Sequence, residues 1–168
     1  MLAFSRSLFL LALFALSTTE CDPGWHYLAV GGHAVQEDGL RYDVAASPSI
    51  AVRVVANAFT GFLSTEVDLV GVGRTLPYDA HATLSAVDSS GGTLPIDPSM
   101  TTTSECRLGG RAGSGFPTTQ NVCFVGAHFQ IQPVVGCLRN PKLEHIVLTA
   151  KVVGDGLSEE VRIPLTAM

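Results

Sequence analysis

The chain has 168 residues, and its 10 Lys and Arg against 15 Asp and Glu give a formal net charge of −5 at pH 7. The acidic residues are dispersed and no basic run exists. This charge pattern argues against a nucleic-acid partner and against polybasic attraction to an anionic membrane. Roughly 150 residues would remain after removal of a leader, which fits one domain.

The first 17 residues predict a secretory signal peptide. Arg6 supplies a positive charge, and an uninterrupted apolar run of nine residues follows from Leu8 to Leu16. As a helix this run would rise about 14 Å against a hydrocarbon core of roughly 30 Å, so it is too short to span a bilayer. Ala15 and Ser17 are small residues at alternate positions, which predicts cleavage near residues 17–20. Cleavage directly after Ser17 is the simplest interpretation. Residues 18–24 then form a short linker in an exported protein.

A second interpretation of this end concerns Cys21. The apolar run followed by Cys21-Asp22-Pro23-Gly24 resembles a bacterial lipoprotein signal. That resemblance implies lipidation of Cys21 and a membrane-anchored protein without a transmembrane span. The sequence departs from the family at Glu20, where the family has a small residue, and this favours the ordinary secreted terminus.

The four cysteines, Cys21, Cys106, Cys123 and Cys137, indicate disulfides in an exported chain, since oxidising compartments preserve them. Full pairing allows three connectivities, whereas lipidation of Cys21 would leave three thiols. We prefer Cys106 with Cys137, which would tie together both ends of the glycine-rich loop and the strand after it. The main alternative pairs Cys106 with Cys123 and closes the loop alone.

Short strands account for most of the mature chain. In chain order the candidate segments are 25–30, 40–44, 50–56, 59–70, 81–87, 93–96, 123–131, 143–152 and 161–165. They are rich in β-branched and aromatic residues, alternate in polarity and are bounded by Gly and Pro, while no segment favours an amphipathic helix. The sequence therefore predicts an all-β domain over 25–168. An antiparallel β-sandwich of 7–9 strands, immunoglobulin-like or Greek-key, is favoured over a small closed β-barrel.

Two regions of this domain carry particular expectations. The first region, of about 15 residues, comprises His81 to Val87, the turn Asp88-Ser89-Ser90-Gly91-Gly92 and the return over 93–96. It resembles the strand, Asp-x-x-Gly turn and return of bacterial immunoglobulin-like modules. Residues 99–119 hold few apolar side chains and several glycines, which predicts a flexible loop. On the strand after this loop, Cys123 falls on the apolar face and should point into the core.

No catalytic, cofactor-binding or metal-binding residue stands out. The five histidines lack metal-ligand spacing, and His81, His128 and His145 fall opposite the apolar rows. Asp79 and His81 could form half of a general-base pair but are more typical of loop polarity, and Ser114 lacks the flanks of a nucleophile elbow. The candidate recognition surface comprises Trp25, His26, Tyr27, Arg111 and Phe116. The first three could form a stacking platform, although a first strand docked on the core is the commoner arrangement.

These observations favour an exported, non-enzymatic binding or structural module of the cell envelope or exterior, whose partner is an unknown protein or glycan. No cofactor is expected. One alternative is a secreted hydrolase on a β scaffold, which would require two carboxylates or a His–Asp pair facing each other in a concave pocket. Another is a lipocalin-like carrier, which would require an open cavity lined by apolar side chains.

Overall fold

The computed structural model describes residues 25–34, 42–59, 61–100, 102–110, 115–131 and 140–168. Several sequence-based expectations fall outside these ranges: the leader over 1–17, the linker over 18–24, and the side chains of Cys21, Arg111, Ser114 and Cys137. They stay predictions.

Antiparallel strands make up nearly all of the regular secondary structure of the described residues, which confirms the all-β class. The strands are β1 (Trp25–Ala29), β2 (His33–Ala34), β3 (Tyr42–Ala45), β4 (Ile50–Phe59), β5 (Phe62–Gly71), β6 (His81–Val87), β7 (Thr93–Leu94), β8 (Thr103–Leu108), β9 (Asn121–Gln130), β10 (His145–Gly154) and β11 (Leu157–Ala167). The helical structure within the described residues is one 3-10 turn, Pro141–Leu143.

The strands form one ladder with two halves that share β1. The hydrogen-bonded order is β7-β6-β10-β11-β1-β4-β5-β9-β8, and β3 pairs with both β2 and β4. The start of β1 pairs with β4, through Trp25 opposite Ala58, and the remainder pairs with β11, through Tyr27 opposite Ala167. Because β1 changes partners partway along its length, the ladder can fold over at this strand. The connections β5–β6 and β9–β10 cross between the halves, so the order is not an up-and-down one.

A single hydrophobic core lies between the two halves. Strand β4 alternates strictly between buried and half-buried residues from Ile50 to Ala58, as expected of a strand with one face in the core. The largest fully buried side chains come from both halves: Tyr27, Ile50, Leu63, Leu69, Leu76, Phe129, Ile146, Leu148, Ile163 and Leu165. They belong to one continuous cluster, so burial of both apolar faces in a sandwich-like packing holds the halves together.

The two ends of the ladder approach each other at two points. The amide of Ala82 in β6 donates to the Ser104 hydroxyl in β8 over 3.1 Å. The segment after β7 reaches β9, where Asp97 N donates to His128 O over 2.8 Å and Gln130 N donates to Pro95 O over 2.7 Å. Within the described residues β7 and β8 have no ladder between them, so the sandwich is favoured over the closed barrel.

The prediction of a flexible loop throughout 99–119 is wrong for its first half. Residues Thr103–Leu108 form β8, which pairs antiparallel with β9 from Thr103 opposite Gly126 to Leu108 opposite Asn121. Five of its six side chains are exposed, so the strand lacks the apolar alternation that would reveal it in the sequence. Backbone hydrogen bonds to β9, rather than burial, define this edge strand.

The preferred disulfide is also wrong. Cys106 pairs with Cys123 and not with Cys137. The physical reason is register, since Cys106 in β8 and Cys123 in β9 stand directly opposite each other and side chains of opposed residues share one face. Cys123 is fully buried in the core, as its place in the alternation predicts.

Tyr27 fastens β1 to the segment that precedes β10. Its side chain is almost fully buried, and its hydroxyl donates to the carbonyl oxygen of Leu143 over 2.8 Å. Burial raises the pKa of the Tyr27 hydroxyl from the ordinary value of 10.0 to about 12, because the interior disfavours the phenolate. The folded state therefore keeps this proton at a pH where the unfolded chain has lost it.

Tyr27→Phe should lower the free energy of unfolding near neutral pH by about 1 kcal/mol, since it leaves the Leu143 carbonyl without its buried donor. The pKa of Tyr27 is raised on folding, so the contribution of its hydroxyl is complete below pH 10 and declines as the pH approaches 12. Urea titrations of both proteins across this range should show the difference between them shrinking with pH. A difference in unfolding free energy that stays constant with pH would contradict the raised pKa of the Tyr27 hydroxyl.

Candidate functional site

The structure separates the predicted recognition residues. Trp25 and Tyr27 lie in the core and are only 8% and 2% exposed, so β1 is the docked first strand that the sequence favours, and residues 25–27 do not form the alternative stacking platform. Alternate residues of β1 point inward, and only His26 is exposed between them. The Nδ1 atom of His26 lies 2.6 Å from Asn57 Oδ1 on the neighbouring strand. Phe116 lies elsewhere, in a surface groove.

A row of charged and aromatic side chains crosses the outer face of the half that contains β4. The ladder sets His33 opposite Asp43, Asp43 opposite Arg53 and Arg53 opposite Asp68. It then continues through Phe124 to Glu105. Opposed residues in an antiparallel pair have neighbouring side chains, so the carboxylates of Asp43 and Asp68 lie on either side of Arg53.

Arg53 contacts two neighbours through its guanidinium group. Its Nε donates to Asp43 Oδ1 over 2.8 Å, and its guanidinium carbon lies 4.1 Å from the centre of the Phe116 ring. A guanidinium stacked on an aromatic face is attracted by the negative face of the ring. The ion pair and the stacking together hold the Arg53 side chain between β3 and the segment that carries Phe116.

These residues border a cavity of about 390 Å³, which we call the Arg53 groove. Its volume falls within the usual range for small-ligand sites. Its polar side chains, Arg53, Asp43, His33 and Gln120, stand among apolar and backbone surface from Val44, Ala51, Val52, Val70, Gly115, Phe116 and Pro117. An apolar cavity with a few fixed polar groups can bind an apolar side chain and orient the polar atoms around it.

Residues 115–120 cover the groove, and hydrogen bonds fix the end of this segment that carries Gln120. Gln120 N donates to Pro117 O over 3.0 Å, and Gly109 N donates to Gln120 O over 2.8 Å. The Gln120 side chain donates from Nε2 to the Gly71 carbonyl over 3.2 Å, at the end of β5. These bonds position Phe116 over the sheet, so the groove is preformed.

A second cavity, of about 570 Å³, lies at the end of the sandwich beside the β4–β5 turn, and we call it the end cleft. Its lining residues are Gly61, Asp88, Thr93, Leu94, Pro95, Asp97, Gln130, Ile131, Asn140, Lys142 and Leu143. Asp88 and Asp97 lie on either side of β7, so two carboxylates do share one concave surface.

The two carboxylates of the end cleft do not form an acid–base pair. Hydrogen bonds from the Ser90 hydroxyl and the Gly92 amide lower the pKa of Asp88. Bonds from the hydroxyl and amide of Ser99 lower the pKa of Asp97. A hydrolytic pair needs one carboxyl with a raised pKa to donate a proton, whereas both of these stay ionised.

The remaining predicted candidates are dispersed. His81 and His145 are exposed and His128 is half-buried, on the faces opposite the core as predicted. Asp79 Oδ1 accepts a hydrogen bond from Asp155 N over 3.1 Å, so this carboxylate fixes the β10–β11 turn. The described residues hold no group of three or more His, Cys, Asp or Glu side chains that could bind a metal ion.

Sequence reasoning missed most residues of both cavities. Arg53 is the one charged residue of the otherwise apolar segment 50–56, and that contrast is a usable signal in the sequence. Asp43, His33 and Gln120 reach the groove through strand register and a distant loop, which no local pattern indicates.

No helix among the described residues is long and apolar enough to cross a membrane. No family model, curated protein or solved structure matches the chain.

Proposed function

We propose that the chain is an exported, non-enzymatic binding module of the cell envelope or cell exterior, and that the Arg53 groove is its binding site. The observation that carries the proposal is the preformed groove, in which Arg53 is held between the Asp43 carboxylate and the Phe116 ring. Export is supported by the leader pattern, and the Cys106–Cys123 disulfide is compatible with an oxidising compartment.

A protein partner suits the groove better than a glycan does. The groove takes most of its lining from apolar residues, and its size fits one or two side chains of a partner. Aromatic and Arg residues are the usual anchors of protein interfaces, and Phe116 and Arg53 already stack on each other at the rim. The partner segment would insert an apolar side chain and direct its polar groups towards Arg53 and Gln120.

Neither alternative function gains support from a specific observation. The hydrolase hypothesis requires an acid–base pair, and both carboxylates of the end cleft have lowered pKa values. The carrier hypothesis requires an open interior, but side chains from both halves pack into one core cluster between the layers.

The proposal predicts that selection from a displayed random peptide library will yield peptides that depend on Phe116. Phe116→Ala should weaken their binding roughly 30-fold, the effect of losing about 2 kcal/mol from an aromatic anchor. Tyr78→Ala is the matched control, because Tyr78 is a 75% exposed aromatic residue outside the groove. Unchanged melting temperatures would establish that both variants fold.

Two results would contradict this function. One is a selection that enriches no peptide above background. The other is a set of peptides that bind wild-type protein and the Phe116→Ala variant equally, which would locate binding away from the groove.

A further inference from the structure

We infer that the end cleft is a second binding site and that it takes a neutral saccharide. This site goes beyond the proposed function, since it is a different surface with a different class of ligand. Arg53 and Gly61 are eight residues apart along β4 and its turn, so roughly 25 Å separates the two cavities.

The cleft combines an apolar lining with polar side chains. Leu94, Pro95, Ile131 and Leu143 supply apolar surface, and the polar side chains come from Asp88, Thr93, Asp97, Gln130, Asn140 and Lys142. A volume of about 570 Å³ lies within the range of small-ligand sites. A sugar ring matches this combination because it has C–H surfaces and a rim of hydroxyl groups.

Local hydrogen bonds fix the two acceptor groups of the cleft in advance. Asp88 Oδ1 accepts from Ser90 N at 2.9 Å, from the Ser90 hydroxyl at 2.7 Å and from Gly92 N at 2.8 Å. Asp97 Oδ1 accepts from Ser99 N at 2.8 Å and from the Ser99 hydroxyl at 2.6 Å. Both carboxylates are thus ionised and oriented before a ligand arrives, which reduces the entropy cost of binding.

The donor groups are positioned by the 3-10 turn. Asn140 Oδ1 accepts a hydrogen bond from Lys142 N over 3.1 Å, which orients the amide of Asn140. The Lys142 carbonyl accepts from Ser89 N over 3.0 Å, and this bond ties the 3-10 turn to the turn that carries Asp88. The lining of the cleft therefore combines two carboxylates with the side chains of Asn140 and Lys142, which carry amide and ammonium donors.

The mixture of charges selects the class of ligand. Two carboxylates would repel a phosphate or sulfate, and the described part of the chain holds no cluster of three ligating side chains for a metal ion. A sugar hydroxyl both donates and accepts, so it can donate to a carboxylate and accept from Asn140 or Lys142. Hydrogen bonds to charged partners are the stronger ones, which suits recognition of a neutral polyol.

An aromatic pair lies outside the lining of the cleft, on the two strands that are joined by the turn that contributes Gly61. Phe59 and Phe62 flank the turn that contains Gly61, and their rings stack with centroids 5.1 Å apart. Phe59 is 38% exposed, and Phe62 stands opposite the cleft residue Gln130. The pair could contact the C–H face of a second sugar unit, so an oligosaccharide should bind better than a monosaccharide.

The test is an array of immobilised neutral and sulfated glycans, followed by amide chemical-shift titration with the best neutral glycan. Neutral glycans should bind, with shifts centred on Asp97, Gln130 and Lys142. Lys142→Ala and Asp97→Asn should each weaken binding about tenfold or more, as expected for loss of a hydrogen bond to a charged group. Lys151→Ala is the matched control, because Lys151 is an exposed lysine on β10 outside the cleft.

Three outcomes would overturn the inference: no neutral glycan shifts cleft residues at millimolar concentration, Lys151→Ala weakens binding as much as Lys142→Ala, or only sulfated glycans bind. The two proposals fail separately. Phe116→Ala should leave glycan binding intact, and Lys142→Ala should leave peptide binding at the Arg53 groove intact.

Discussion

Gly71→Ala is expected to destabilise the fold by about 3 kcal/mol, at the upper end of the cost of overpacking. A Cβ atom on Gly71 would lie 2.2 Å from the carbonyl oxygen of Arg74, far inside van der Waals contact. The obstacle is backbone rather than the end of a flexible side chain, so the clash can be relieved only if the turn after β5 moves.

That turn is tied to the rest of the molecule at several points. Val72 N donates to Ser49 O over 2.8 Å, and the Arg74 guanidinium pairs with the Glu159 carboxylate on β11. The Gly71 carbonyl also accepts the hydrogen bond from Gln120 that positions the Arg53 groove. Displacement of the turn should therefore weaken the groove as well as the fold.

Urea unfolding checks this prediction, with Gly91→Ala as the control. Gly91 has a positive φ of 82° but open space around its Cα, so alanine there should cost about 1 kcal/mol through backbone strain alone. Gly71→Ala should lower the unfolding midpoint clearly more than the control does, with an unchanged m-value. If Gly71→Ala lowers the unfolding midpoint no more than Gly91→Ala does, the close approach of Gly71 to the Arg74 carbonyl would be contradicted.

The second large effect concerns the Cys106–Cys123 disulfide, whose reduction should cost about 3 kcal/mol. The bond closes a sequence separation of 17 residues, and loop-closure entropy for such a loop predicts a stabilisation of this size. Strand β8 depends on it more than other strands do, because five of its six side chains are exposed and bury little apolar surface.

The sharpest test uses a Cys21→Ser/Cys137→Ser variant, in which no other cysteine can pair. Its oxidised form should unfold at a higher urea concentration than its reduced form, by the equivalent of about 3 kcal/mol. Backbone amides of Thr103 to Leu108 should lose protection from hydrogen exchange on reduction. A variant that keeps two free thiols under oxidising conditions would exclude this pairing.

The strands that the sequence predicts well are those with one face in the core. Strands β4 and β10 show the alternation of period two that burial of one face imposes, and the Gly154-Asp155-Gly156 turn marks the β10–β11 hairpin. Strand β8 escaped prediction because an edge strand can be held by backbone hydrogen bonds and a disulfide with almost no apolar pattern.

The candidate sites were much less predictable than the fold. The Arg53 groove joins β2, β3, β4 and a segment more than 60 residues later, which meet only through strand register and loop placement. For Trp25 and Tyr27 the residue type allows a binding platform, but the docked first strand that the sequence favours is the arrangement observed, and alternation places both residues in the core. Chemical type alone does not distinguish a recognition residue from a packing residue.

The central claim is that this module works outside the cytoplasm, and the intact mass of the protein expressed with its own amino terminus tests it most directly. We expect protein recovered outside the cytoplasm to begin at Thr18 and to carry a disulfide between Cys106 and Cys123. A chain that begins at Cys21 with added acyl groups would instead establish a membrane-anchored lipoprotein. Recovery of the uncleaved chain, Met1 included, with free thiols in the cytoplasm would contradict the account.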